Sequence, residues 1–255
     1  MKRGLFTVLF MILITTVFIA ALAFIDEYTQ ERVEQNREIQ RIQSIMYACN
    51  ILPEGIRETD LPPTSTTADI PWDQRHLLEL VQTRMQSVRL PVTPSQKRLL
   101  ENSYLSLQDS AEITILLNDT GGVEGYGFPL RGRGLWGTIS AVGVVSTDLT
   151  RMIGIDFTEQ IETPGLGARI TESGFKYFFR GLDLEGYFDP DSNASPIVMV
   201  GKKTRSNMEE PSNSIQAITG ATQTCNGVLD MVNTDVKFYL TLLRSNKEAL
   251  SKGIL

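Results

Sequence analysis

Three threonines surround a Gly-Ala step just before a predicted helix. Residues 214–232 read SIQAITGATQTCNGVLDMV and hold Thr219, Thr222 and Thr224. The first turn of a helix has backbone N–H groups without partners and a partial positive charge, so it favours a phosphate or another anion. Gly220 lets the backbone approach such a group closely. Two interpretations stay open: the hydroxyls cap the helix, or one threonine is a site of covalent chemistry.

Two further glycine-rich segments lie upstream. Residues 126–139 read YGFPLRGRGLWGTI, and residues 162–170 read ETPGLGARI. Glycine-rich segments are mostly turns, and Pro-Gly is ordinary turn chemistry. Trp136 is more typical of a core residue than of a ligand contact, and Glu162 is either a solvated charge or a residue that orients the loop. Neither segment identifies a site by itself.

Together the three segments resemble a family of covalent-FMN subunits found in two respiratory membrane complexes. These are NqrC of the sodium-translocating NADH:quinone reductase (Nqr) and RnfG of the Rnf complex. The family's attachment pattern, S/T-G-A-S/T-x-T, is matched at every fixed position by residues 219–224, TGATQT. The likeness is clearest from residue 125 to about residue 232. It implies that the hydroxyl of Thr224 is esterified to the phosphate of FMN.

The resemblance also implies which residues form the cofactor site. GRGLWG and ETPGLG look like the family's two other signatures, which line the flavin. The residues so implied are Thr224 as the covalent site, with Thr219, Gly220, Ala221, Thr222, Glu162, Thr163, Gly165, Leu166, Gly167, Leu135, Trp136 and Gly137 as contacts. Candidate cations near a reduced flavin are Arg131, Arg133, Lys202 and Lys203. Gln216 stands where family members often have Asp.

The function implied is that of an electron-transfer subunit in a membrane complex that couples NADH or ferredoxin oxidation to ion translocation. Its partners are the other subunits of an Nqr- or Rnf-type complex, and a separate FMN transferase attaches the cofactor. The chain has no complete activity of its own, since it lacks an NAD-binding fingerprint and cluster-ligating cysteines. The alternative is a membrane-anchored, extracytoplasmic FMN sensor or flavin-carrier module outside any pump.

Composition excludes several other classes of protein. The 255 residues carry a formal charge of −6 and form no basic stripe, which argues against nucleic-acid binding. The single histidine, His76, excludes a His-rich metal centre and leaves little for a Ser-His-Asp triad. Cys49 and Cys225 lie far apart without metal-ligand spacing, and no feature favours a disulfide between them.

The N-terminus predicts a membrane anchor. Residues 5–25 are uncharged and match the roughly 20 residues that a helix needs to cross a bilayer. The alternative is a cleaved signal peptide, because residues 21–23, Ala-Leu-Ala, have the form of a cleavage site, but signal h-regions are shorter. Lys2 and Arg3 precede the span, so the positive-inside rule predicts a single-pass protein of the cell (inner) membrane with a cytoplasmic N-terminus. The bulk of the chain is then periplasmic or extracellular.

The remaining pattern predicts an α+β protein. We expect a transmembrane anchor over 1–25, a helical stalk over 26–50, a mixed helix and loop connection over 51–110, and an FMN-binding domain over 111–255. Strands are predicted at residues 111–118, 137–145, 152–157 and 196–200, and a closing helix at residues 231–243. Short antiparallel strands flanked by helices are the expected architecture of the domain.

Overall fold

The computed structural model describes residues 2–107, 109–188, 197–201, 213–247 and 250. These residues form five α-helices and seven strands, joined by several short 3-10 turns. Their bounds are α1 Lys2–Ala48, α2 Gln74–Arg84, β1 Met85–Pro91, α3 Pro94–Lys97, β2 Ser110–Leu117, β3 Val123–Arg133, β4 Thr138–Ser146, β5 Met152–Glu159, α4 Ser173–Lys176, β6 Val198–Val200, β7 Ser214–Gln216 and α5 Thr222–Ser245.

The chain divides into two compact units, Met1–Gln40 and Arg41–Leu255. The first unit is helical, and its apolar side chains from Leu5 to Ile25 are exposed. Within the described residues, the helical stretch Gly4–Ala48 alone has the length and apolar character to cross a membrane, with a mean hydropathy of 2.9 in its most apolar window. The predicted anchor and stalk therefore lie on one continuous helix.

The second unit contains a five-stranded antiparallel sheet in the order β1-β2-β3-β4-β5. The strands predicted at residues 111–118, 137–145 and 152–157 are confirmed as β2, β4 and β5 within a residue or two. Two short strands, β6 and β7, pair in parallel as a separate sheet. The α+β architecture expected from the sequence is confirmed, and the predicted domain bounds at residues 50 and 110 stay predictions.

Two strands were not expected. β1 lies inside the predicted connection and is mostly polar, because one of its faces is solvated. β3 covers the glycine-rich segment GYGFPLRGR. Pro129 fits there because β3 pairs with β2 only up to Gly127, so beyond that point β3 has a free edge where a missing N–H costs little.

Helix α5 is the main cover of the sheet. It is longer than predicted and buries an apolar face that includes Val228, Val232, Val236 and Leu243. Tyr239 stacks on Phe128 of β3 with ring centroids 4.3 Å apart. Gly227 permits this close packing, because a Cβ at that position would lie 1.9 Å from the carbonyl oxygen of Arg133. The fold thus places the first turns of α5 beside the end of β3.

The last turns of α1, from Arg41 onward, pack on the opposite face of the sheet. Ile45 and Ala48 contact Val142, Val144 and Leu116 there. Arg180 donates hydrogen bonds to the carbonyl oxygens of Tyr47 (2.8 Å) and Ala48 (2.9 Å), which satisfies acceptors that a helix end leaves without partners. The end of α1 is therefore fastened to the domain that carries the three glycine-rich segments.

Candidate functional site

The start of α5 decides between the two interpretations of the threonines. Ala221 occupies the N-cap position and has no side-chain acceptor to offer. Thr222 is the first helical residue and is exposed, whereas Thr224, two residues later, is only 1% exposed. The expectation that these threonines cap the helix is therefore wrong.

Thr224 instead faces Glu162 from the second glycine-rich segment. The Thr224 hydroxyl donates a hydrogen bond of 2.5 Å to Oε2 of Glu162. The other carboxylate oxygen, Oε1, accepts the backbone N–H of Trp136 at 2.9 Å. Glu162 is 5% exposed, which excludes the interpretation of a solvated surface charge. One buried carboxylate thus joins all three segments, over sequence separations of 26 and 62 residues.

The carboxylate is held in its charged form. Burial raises the pKa of Glu162, but the Thr224 hydroxyl and the backbone N–H groups of Trp136, Leu135 and Gly137 together outweigh it, so the pKa lies below the ordinary value. These N–H groups belong to the tight turn between β3 and β4, where Gly134 donates to the carbonyl oxygen of Gly137 at 2.7 Å. The site therefore presents an anionic acceptor to a buried hydroxyl.

Two glycines make room for this contact. A Cβ at Gly167 would lie 2.6 Å from Oγ1 of Thr224 and 2.8 Å from Oε2 of Glu162. A Cβ at Gly134 would come within 2.8 Å of the Glu162 carboxyl carbon. Both glycines are thus required by close approach to the Glu162–Thr224 pair, in addition to any role in turns.

Apolar side chains from the same segments are exposed beside the buried pair. Trp136 is 64% exposed, Leu135 47% and Leu166 43%. Trp136 is therefore not a core residue. Its indole Nε1 donates to Oγ1 of Thr163 at 3.1 Å, which ties the β3–β4 turn to the turn at residues 163–167. An exposed apolar surface next to buried polar groups is typical of a ligand site.

A cavity of about 400 Å³ adjoins the first turns of α5. Arg131 and Arg133, two of the predicted cations, line it opposite Gln223 and Asn226. A second cavity of about 300 Å³ lies beside Thr219 and includes Gln216 and Phe178. Both cavities flank the TGATQT segment. Lys202 and Lys203 lie outside the described residues.

The remaining predicted residues have simpler surroundings. Thr219 and Gly220 are exposed in the turn before α5, and Gly220 has a positive φ of 83°. Gly165 has a φ of 75° in the turn of the second segment, so it is a turn residue as well. Cys225 is a buried free thiol that accepts the N–H of Ile218, and Cys49 is also free.

Sequence reasoning missed two residues that support the site. Gly134 lies within GRGLWG but is not among the predicted contacts, although it packs against Glu162. Gln160 accepts the N–H of Glu162 through its side chain at 2.6 Å. No local pattern marks Gln160, because its role depends on the backbone direction after β5.

Comparison with known proteins agrees with the geometry. Residues 134–237 match the model of the FMN-binding domain family, a range that contains the β3–β4 turn, Glu162 and Thr224. The NqrC subunit of the Na(+)-translocating NADH-quinone reductase of Pasteurella multocida is 32% identical over 154 residues, which cover 56% of this chain and 55% of that protein. The corresponding subunit of Chlamydia pneumoniae is 29% identical over 57% of this chain and 47% of that protein. The chain spans about half the length of these curated relatives.

Two crystal structures share the fold. NqrC of Shewanella oneidensis superposes with a TM-score of 0.58 at 16% sequence identity, covering 86% of this chain and 99% of that one. The corresponding Na(+)-translocating NADH-quinone reductase subunit of Parabacteroides distasonis gives a TM-score of 0.52 at 20% identity, over 82% of this chain and 96% of that one. Residues 134–237 therefore belong to the FMN-binding domain family, in a chain similar to the NqrC subunit of Na+-translocating NADH-quinone reductases.

Proposed function

We propose that the chain is an electron-transfer subunit that carries FMN as a phosphoester of Thr224, within a membrane complex of the Na+-translocating NADH-quinone reductase type. The observation that carries the proposal is the contact of Thr224 with Glu162 and, through it, with the β3–β4 turn. A threonine at the first turn of a helix has no packing need for a buried carboxylate. The pair makes chemical sense if that hydroxyl is the point of attachment.

The residues present fit an FMN phosphate. α5 begins at Thr222, so the N–H groups of its first turn face the region around Thr224. A phosphodiester there keeps one negative charge, which the helix end stabilises by about 0.3–1 kcal/mol. Gly167 leaves space that any side chain would fill. The covalent bond prevents loss of the cofactor into the surrounding solution.

The exposed apolar residues fit the flavin ring. Leu135, Trp136 and Leu166 offer a surface on which a planar ring can lie, and the Trp136–Thr163 hydrogen bond fixes the indole. Arg131 and Arg133 place positive charge along the cavity beside α5. When bound, FMN supplies the one-electron and two-electron redox chemistry that no side chain of this protein offers.

The partners follow from the anchor and from the relatives. The helical stretch Gly4–Ala48 is apolar enough to hold the domain at a membrane, and the curated relatives are named as subunits of Na(+)-translocating NADH-quinone reductases. We propose that this chain assembles with the other subunits of such a complex, with its domain on the extracytoplasmic side. A flavin transferase is then a transient partner during maturation.

Covalent attachment is tested by producing the full chain together with a flavin transferase. Flavin fluorescence should stay with the protein band after denaturing electrophoresis. Thr224→Val should abolish it, because valine keeps the shape but has no nucleophilic oxygen. Thr222→Val is the matched control on the same helical turn and should retain at least half of the wild-type signal. Flavin that is released on denaturation of the wild type, or retained by Thr224→Val, would contradict the proposal.

A further inference from the structure

The Thr224 hydroxyl already has a proton acceptor in this chain. It donates to Oε2 of Glu162 at 2.5 Å, a distance typical of a hydroxyl bound to an ionised carboxylate. The groups that face this carboxylate are the hydroxyl from α5, the N–H of Trp136 from the β3–β4 turn, and Gly134 and Gly167 from the two glycine-rich turns. The carboxylate can therefore take the proton that the hydroxyl must lose.

Attachment requires such an acceptor. A neutral threonine hydroxyl is a weak nucleophile, and it is activated by an adjacent base. In phosphoryl transfer by protein kinases, a carboxylate accepts the proton of the attacked hydroxyl while electrostatics stabilise the transferred group. Glu162 stands in the same relation to Thr224, except that it belongs to the molecule being modified.

We propose that Glu162 is the proton acceptor for covalent flavin attachment, so that this chain supplies the base for its own modification. The inference rests on the function proposed above. The donor must be a flavin phosphoanhydride such as FAD, because free FMN has no leaving group better than hydroxide. Oγ1 of Thr224 forms a bond to the phosphorus of the FMN half, and the P–O bond to the bridging oxygen breaks. AMP leaves with the electron pair, and the hydroxyl proton passes to Oε2 of Glu162.

Burial sets one condition on the reaction. Thr224 is 1% exposed and lies directly below Gly167, so the turn at residues 163–167 must move before phosphorus can approach Oγ1. The turn contains Gly165 in a left-handed conformation and the exposed Leu166, and it is held to Trp136 by the Thr163 hydroxyl. The contact between Glu162 and Thr224 lies at the base of this turn, on α5 and on the chain after β5, and does not depend on the turn remaining closed.

The test measures the rate of flavin attachment to the full chain in detergent, with purified transferase and FAD, by intact mass. Glu162→Gln keeps the size and hydrogen-bonding capacity of the side chain but is not basic. It should lower the rate by about 10²–10⁴-fold. Glu185→Gln, which alters an exposed glutamate, should match the wild type. Thermal unfolding of each variant shows whether it is folded.

The pH dependence separates proton transfer from simple positioning. Dividing the Glu162→Gln rate by the wild-type rate at each pH removes the transferase's own pH dependence. If Glu162 accepts the proton, this ratio should rise about tenfold per pH unit between pH 7 and 9, because solvent hydroxide takes over the role. A second variant, Glu162→Ala, should regain activity at least tenfold with added formate but not with formamide.

Three outcomes decide the matter. Attachment to Glu162→Gln at the wild-type rate would overturn the inference and leave the proposed function standing. A slow Glu162→Gln with a pH-independent ratio, together with an Ala variant that formate does not rescue, would reduce Glu162 to a positioning residue and also overturn it. A wild-type chain that takes no flavin at all would overturn the proposed function itself.

Discussion

At the scale of single residues, the site is a buried polar pair enclosed by glycines. Burying a hydroxyl and a carboxylate costs free energy unless each finds hydrogen-bond partners, and here each is a partner of the other. The N–H groups of the β3–β4 turn satisfy the rest of the carboxylate. The pair therefore costs little in the folded chain while keeping a nucleophile and an acceptor together.

Gly167 tests how tightly the pair is enclosed. Gly167→Ala places a methyl group 2.6 Å from Oγ1 of Thr224, so the Glu162–Thr224 hydrogen bond must lengthen or break. We expect a loss of about 1–3 kcal/mol in the free energy of unfolding, typical of overpacking, and a marked fall in flavin attachment. Thermal unfolding and intact mass report these two effects.

Gly201→Ala is the matched control, because a Cβ at that position meets nothing within 4 Å. It should leave both stability and attachment unchanged. Equal behaviour of the two alanine variants would show that the space below Gly167 is not needed.

The contribution of sequence to this site is clear at particular residues. The TGATQT pattern identified Thr224, and the family likeness identified Glu162. The contact between them was not readable, because 62 residues and the whole β-sheet edge separate the two in sequence. Gln160 had no signal at all, since its hydrogen bond to the Glu162 N–H depends on how the chain leaves β5.

At the scale of elements, α5 links the site to the rest of the domain. Its Asp235 is fully buried and accepts hydrogen bonds from the Ser103 hydroxyl at 2.5 Å and from the Arg131 N–H at 2.8 Å. These bonds tie α5 to the loop after α3 and to β3. Because β3 leads directly into the turn that holds Glu162, the seating of α5 sets the position of Thr224 relative to its partner.

Asp235 also gives α5 a pH-dependent stability. Burial raises the pKa of Asp235 to about 6, above its unfolded value near 4. The folded chain therefore binds more protons between these values, so the stabilisation from this group is present at low pH and is lost as pH rises through about 6. Asp235→Asn should gain about 1 kcal/mol relative to the wild type between pH 5 and pH 7.

The gain is measured by thermal unfolding at the two pH values, with Asp230→Asn as the control. Asp230 lies on the same helix but is exposed, so its variant should follow the wild type at both pH values. A stability difference between Asp235→Asn and the wild type that does not change with pH would contradict the assignment.

Elements were predicted unevenly for physical reasons. β2, β4 and β5 are rich in β-branched residues and were found with nearly correct bounds. β3 was missed because its glycines and Pro129 are typical of loops, and they are tolerated only because one part of the strand has a free edge and α5 packs against it. β1 was missed because its burial alternates weakly, with Val88 and Leu90 as its only buried apolar residues.

At the scale of the whole molecule, a membrane helix and a redox domain share one chain. The anchor proposal and the positive-inside rule together place the domain outside the cytoplasm. Protease added to intact spheroplasts should therefore remove residues beyond the anchor, whereas a cytoplasmic control protein stays intact. Protection of the domain until the cells are lysed would reverse the proposed orientation.

The most direct measurement for covalent attachment at Thr224 is the mass of one peptide. The full chain, produced with a flavin transferase, is digested, and the fragment that contains residues 214–232 is sequenced by mass spectrometry. We predict an added mass of one FMN less one water, with fragment ions that place it on Thr224. An unmodified fragment, or an addition located on Thr219 or Thr222, would contradict a flavin carried by Thr224.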